Sequence, residues 1–157
     1  MKIKLLVIGK TDSKPLTALI EEYKNRLQHY IKFELEVIPD LKKTKNLSTA
    51  QQKDKEGALL LAKLQNTDQL VLLDDKGKQF SSLEFSQYLQ KKMNSGHKQL
   101  VFAVGGPYGF SDAVYKKASG KVSFSKMTFS HQMIRLFVVE QVYRAFTILR
   151  NEPYHHE

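Results

Sequence analysis

Five short apolar runs, at residues 3–8, 33–38, 70–73, 100–104 and 122–124, are rich in β-branched and aromatic side chains. Most are separated by longer stretches in which apolar residues recur at threes and fours. A strand covered on both faces reads as a continuous apolar run, whereas a strand with one wet face alternates. The pattern is β-α-β-α-β-α-β and predicts an α/β fold, a mostly parallel sheet flanked by helices. At 157 residues and 41% hydrophobic content, the chain is long enough for a sizeable core. No linker, repeat or low-complexity segment divides it, so residues 1–157 are expected to form one domain.

Local signals place the helices. Leu16, Leu19, Ile20, Tyr23 and Leu27 share one helical face, with Pro15 suited to a first turn. Ser48 with Gln51, and Ser81 with Glu84, have the spacing of capping boxes, the first ahead of Leu60, Leu61 and Leu64, the second ahead of Phe85, Tyr88 and Leu89. Asn94-Ser95-Gly96 ends the third helix, and the basic stretch LKKTKNLS reads as a mobile loop. A last helix is predicted over 132–149. Its apolar residues Met133, Ile134, Phe137, Val138, Val142, Phe146 and Leu149 are spread too widely for a single stripe, so it needs burial on more than one side. Core packing together with a subunit interface would supply both, which favours a homodimer.

The charge narrows the partners. There are 25 Lys and Arg against 16 Asp and Glu, a formal net charge of +9, which suits a polyanion: RNA, DNA or an anionic membrane. With no cysteine, disulfides, thiolate metal sites and a cysteine nucleophile are excluded. The apolar run in MKIKLLVIGK is interrupted by charge and too short for a signal-peptide core or a membrane span, which makes a cytoplasmic location the default expectation.

Three strand-to-helix segments carry candidate chemistry. VGGPYGF at 104–110 follows the run LVFAV; its glycines allow a ligand close to the backbone, but the spacing is neither that of a dinucleotide fingerprint nor of a P-loop. VLLDDKGK at 71–78 reads as a strand followed by a polar turn, and FSKMTFSHQM at 124–133 as a loop leading into the last helix. Three such segments at the carboxyl edge of a parallel sheet can form one pocket. His131 suits a general base, an RNA contact or a plain surface residue, and Arg135, one turn on, could meet a phosphate beside it. In the tail NEPYHHE, Tyr154 offers a stacking face and His155 and His156 offer hydrogen bonds, the equipment used for unpaired RNA bases. No third ligand accompanies the histidine pair, so no metal is expected.

GGPYG after LVFAV, the run SFSKMTFSHQMIRLFVVEQVYRAF and the terminal NEPYHHE together resemble the RlmH family of bacterial large-subunit rRNA methyltransferases, in the SPOUT superfamily; FELEVIPD and DKEG extend the likeness over essentially the whole chain. The resemblance implies an S-adenosylmethionine-dependent enzyme that methylates N3 of a pseudouridine in 23S rRNA of the assembled ribosome, with RNA rather than DNA or membrane as partner. It further implies a homodimer and a SPOUT-type fold with a C-terminal trefoil knot, which general topology rules would not suggest.

Carried over by position, the resemblance places the cofactor at Leu73, Gly105, Phe124, Ser125, Lys126, Met127, Thr128 and Phe129. It gives Tyr154 and His155 to the catalytic, substrate-recognising tail, with Arg135, Arg144 and His131 as candidates for RNA contact. Relatives commonly have proline where Ser130 stands; serine gives up the fixed φ but can cap the helix. Direct displacement at the sulfonium methyl by N3 requires alignment and removal of the N3 proton, for which His155, Tyr154, Glu140 and water are the candidates. A non-catalytic ribosome-binding protein of the same fold, or a nicotinamide enzyme, would be distinguished by which cofactor the protein binds.

Overall fold

A computed structural model describes residues 1–156. The first strand, β1 (Lys2–Ile8), is followed by α1 (Lys14–Leu27), β2 (Lys32–Ile38), α2 (Thr49–Ala62), β3 (Asp68–Gln79) and α3 (Ser82–Met93). Then come β4 (Gln99–Val104), the short α4 (Asp112–Lys117), β5 (Gly120–Ser123) and α5 (Met133–Leu149). The strands form one sheet in the order β2-β1-β4-β3-β5, and every neighbouring pair is parallel.

The period of two along each strand divides the core between two faces. Ile3, Leu5 and Val7 of β1, with Leu100 and Phe102 of β4, face a layer made by α1, α3 and α5. Leu6 and Ile8, with Val101 and Ala103, face α2 and α4 on the other side. This two-sided burial explains why LLVI of β1, LVLL of β3 and LVFAV of β4 read as unbroken apolar runs, whereas the edge strand β2, KFELEVI, alternates. Lys4 falls on the second face and is tied down by Glu36 and Glu34 of β2. On the first face α5 packs between α1 and α3, burying Val138, Val139, Val142 and Ala145.

Both expected capping boxes form, with Ser48 and Gln51 opening α2 and Ser81 and Glu84 opening α3. Three features depart from expectation. The LKKTKNLS stretch is not featureless: it holds a one-turn 3-10 helix at Thr44–Asn46, entered through Lys43 at a left-handed φ of 58°. Helix α4 was not foreseen, since six residues are too few for a periodic signal. Strand β3 also does not end where the polar turn was expected. It pairs with β5 at Leu73↔Val122 and again at Lys78↔Val122, so Asp74–Gly77 form an outward excursion inside a continuing strand. Gly77 permits it, because a Cβ there would lie 2.5 Å from the Val122 carbonyl carbon.

Candidate active site

The carboxyl ends of β4 and β5 and the middle of β3, where it leaves register after Leu73, frame a cleft of about 610 Å³. Leu73 lines it from β3, Val104 and Gly105 from the end of β4, and Phe124 from just beyond β5. Ser125, Met127, Thr128 and Phe129 line it from the loop that follows, joined by His131 and by Ile134 in the first turn of α5. Every cofactor position expected from the sequence therefore faces one cleft except Lys126, whose side chain does not contribute to the lining.

Backbone geometry shapes both loops. The glycine loop folds back on itself through a bridge between Gly106 and Gly109, with Gly109 at a φ of +83° that favours glycine. A Cβ on Gly105 would lie 3.3 Å from Gly109 and the Phe110 ring, so this glycine also serves the loop's own packing. In the second loop Ser123 Oγ donates to the Ser125 carbonyl, and Ser125 Oγ accepts from the Met127 amide at 2.9 Å. Ser130 Oγ accepts from the Met133 amide and its carbonyl from the Ile134 amide, both at 3.1 Å, so this serine satisfies two of the amides that open α5 from a position ahead of the N-cap residue Gln132.

Arg135 requires a correction. It is 1% exposed, and its guanidinium donates to the carbonyls of Ile8, Gly9 and His131 and to the Thr11 hydroxyl, at 2.8–3.0 Å. A side chain so placed has no face to offer a phosphate. It instead binds the exit of β1 to the turn that carries His131. Gln132 reinforces the junction, accepting from the Asp12 amide and donating to the Asp12 carboxylate.

One rim of the cleft is polar. Asp74, Asp75 and Lys76 reach it from the β3 excursion, and Tyr115 from α4. Burial opposes ionisation of Asp74, but hydrogen bonds from the Tyr115 hydroxyl and the Lys76 amide hold its carboxyl below the usual range. Burial and that same carboxylate push the Tyr115 phenol upward. Tyr115 was missed in the sequence because it lies on a helix too short to be read, though Ser111 caps that helix through the Val114 amide.

The tail forms a second polar group, apart from the cleft. Asn151, at a φ of 54°, turns the chain out of α5, and the Glu152 amide bonds back to the Thr147 carbonyl. Tyr154 donates to Glu140 at 3.0 Å, lies 3.2 Å from the Tyr23 hydroxyl, and sits under the Arg144 guanidinium at 4.6 Å from its ring centre. Arg144 also bonds Glu140 and approaches His155 Nδ1 at 3.4 Å. Burial, then the bonds to Tyr23 and Glu140, keep the Tyr154 phenol protonated well above neutral pH. Tyr154, His155 and Arg144 do not line the cleft. Their anchor points on α5 stand six to ten residues beyond Ile134, about 9–15 Å along the helix axis.

A family model described as "Predicted SPOUT methyltransferase" matches residues 1–155. A protein of Christiangramia forsetii named ribosomal RNA large subunit methyltransferase H is 69% identical over 156 residues, 99% of both chains. Proteins of the same name from Flavobacterium johnsoniae and Parabacteroides distasonis are 68% and 69% identical over the full length of both chains. A three-loop cleft at the carboxyl edge of a parallel sheet, and a match that runs from the first strand into the tail, place this chain in the SPOUT methyltransferase family.

Proposed function

We propose that this protein transfers a methyl group from S-adenosylmethionine to N3 of a pseudouridine in 23S rRNA of the assembled ribosome. The observation that carries the reading is the convergence of Leu73, Gly105 and the loop from Phe124 to Phe129 on one cleft, in a chain about two-thirds identical to proteins named ribosomal RNA large subunit methyltransferase H. The residues suit the cofactor. A volume of about 610 Å³ falls within the usual range for small-molecule sites, about 300–1,000 Å³. Leu73, Val122, Phe124 and Ile134 offer an apolar slot for adenine, and the loop backbones offer donors and acceptors for its edge.

Bound there, S-adenosylmethionine would supply an electrophilic methyl on a sulfonium. The glycine loop and residues 124–129 hold it in line with the target, and alignment of this kind contributes on the order of 7 kcal/mol or more. Tyr154 and His155 contact the target base. Because the Tyr154 phenol stays protonated and its hydroxyl donates to Glu140, it offers a ring face rather than a base.

The tail lies outside its own chain's cleft, so the site is completed by a second copy, in a homodimer. Supporting this, Met127 and Phe129 at the cleft and Met133 and Phe137 on α5 are exposed apolar side chains, with the rings of Phe129 and Phe137 5.0 Å apart. The C-terminal part carries the family's trefoil knot, which would hold the residues 124–129 loop rigid. Positive charge attracts the rRNA backbone, and Arg144 and His131 remain candidates for direct contact.

The test is to incubate the protein with radiolabelled S-adenosylmethionine and intact ribosomes, separate subunits or naked rRNA from a strain lacking the modification. Label in pseudouridine, confined to the ribosome sample, is expected. No label in any sample would overturn the reading.

A further inference from the structure

Glu56 sits in the middle of α2, 4% exposed, on the side of the glycine loop away from the ligand cleft that it does not line. Its Oε1 accepts from Gln52 Nε2, one helical turn earlier, at 3.0 Å. Its Oε2 has no hydrogen-bond partner among the described residues. A buried carboxylate oxygen left unpaired is costly, so the packing around it must hold it there.

The neighbour that explains this placement is Gly106. A Cβ built on Gly106 would lie 2.2 Å from Glu56 Oε2 and 2.8 Å from its carboxyl carbon. Gly106 does not have a positive φ, so it is not glycine for the sake of backbone freedom. It is glycine because the Glu56 carboxylate occupies the place of its side chain. The next residue repeats the device in reverse: a Cβ on Gly57 would lie 2.3 Å from Ser111 Oγ. Successive residues of α2 thus grip the loop near both ends, at Gly106 and at Ser111.

We propose that Glu56 is a positioning residue for the cofactor loop, fixing from behind the backbone of residues 105–109 in the conformation that receives the ligand. A loop with glycine at 105, 106 and 109 has more accessible backbone states than an ordinary turn, and its amides are useful to a ligand only when held in one of them. The carboxylate packed on the Gly106 Cα restricts that freedom without entering the cleft. The inference rests on the reading of the cleft as the S-adenosylmethionine site.

Two measurements on the full chain test it. In the ligand-free protein, Glu56→Ala should speed amide exchange at residues 105–109 by roughly tenfold while leaving β4 unchanged, and Glu56→Gln, which keeps the shape, should stay near wild type. By isothermal titration, Glu56→Ala and Gly106→Ala should each weaken S-adenosylmethionine binding by roughly tenfold, yet the double variant should bind more tightly than either single one, because the alanine methyl fills the space the carboxylate vacates. A general loss of stability would lower the melting temperature without producing that reversal. Unchanged loop exchange in Glu56→Ala, or simple addition of the two losses, would overturn the proposal. If Glu56→Ala does not fold, Glu56→Asp, which withdraws the carboxylate from Gly106, replaces it in both measurements. Failure of the wild-type protein to bind S-adenosylmethionine would count against the function, while the exchange measurement would still decide the role of Glu56.

Discussion

Arg135 and Tyr154 show how one residue's role is settled by partners distant in the sequence. Arg135 lies four residues after His131, and on spacing alone the two could meet a phosphate together or be plain surface charges. Its acceptors at Ile8 and Gly9 are 127 and 126 residues away, so no local pattern reveals that its charge is used inside the protein. Arg135→Met is expected to cost at least about 2 kcal/mol in urea denaturation, because the buried carbonyls lose their donor. The salt dependence of ribosome binding should stay as in the wild type, whereas loss of a true phosphate contact would lower the slope by about 1. Tyr154→Phe keeps the ring but removes the hydroxyl between Tyr23 and Glu140. It should leave cofactor affinity unchanged in titration and slow methyl transfer on the order of a hundredfold, the usual consequence of a misplaced contact at a reacting centre.

Tyr154 in the tail and Tyr30, which bonds the tail at Glu152, also set an alkaline limit on stability. The Glu152 carboxylate raises Tyr30 from its ordinary value of 10.0 to about 12, and Tyr154 is raised as well. A phenol whose folded value exceeds its unfolded one stabilises the protein fully below pH 10, and the contribution fades as pH rises through the folded value. Denaturation midpoints measured between pH 9 and 12 should fall with pH, and the double variant Tyr30→Phe/Tyr154→Phe should flatten that fall.

Among elements, the strands and long helices were legible because their signals are local. Continuous apolar runs marked the strands, and the Ser48–Gln51 and Ser81–Glu84 pairs marked helix starts that form as read. The β3 excursion was not legible, since Asp74-Asp75-Lys76-Gly77 reads as a turn and only pairing with β5 shows the strand resuming. Convergence of the three loops could be expected from the parallel sheet, but the acidic rim and Tyr115 required the register of β3 against β5 and the short α4. Gly77→Ala tests the close contact. The added methyl must displace the Val122 backbone, and a loss of about 1–3 kcal/mol, the range for overpacked sites, is expected in chemical denaturation.

For the whole molecule, charge and the exposed patch make separate predictions. With a net charge of +9, ribosome affinity should fall steeply as salt rises, and a salt-independent affinity would refute an electrostatic encounter. Phe137→Asp puts a charge into the apolar patch. It should shift the protein toward monomer in analytical ultracentrifugation and reduce methyl transfer, while each chain keeps its own cleft.

The clamp of Arg135 on the end of β1 also ties one wall of the cleft to a strand that lends it no residue. It joins the exit of β1 to the turn before α5, and the cleft takes a wall from His131 and Ile134 at that turn. Changes at Ile8, Gly9 or Thr11 therefore reach the site through Arg135 without touching its lining.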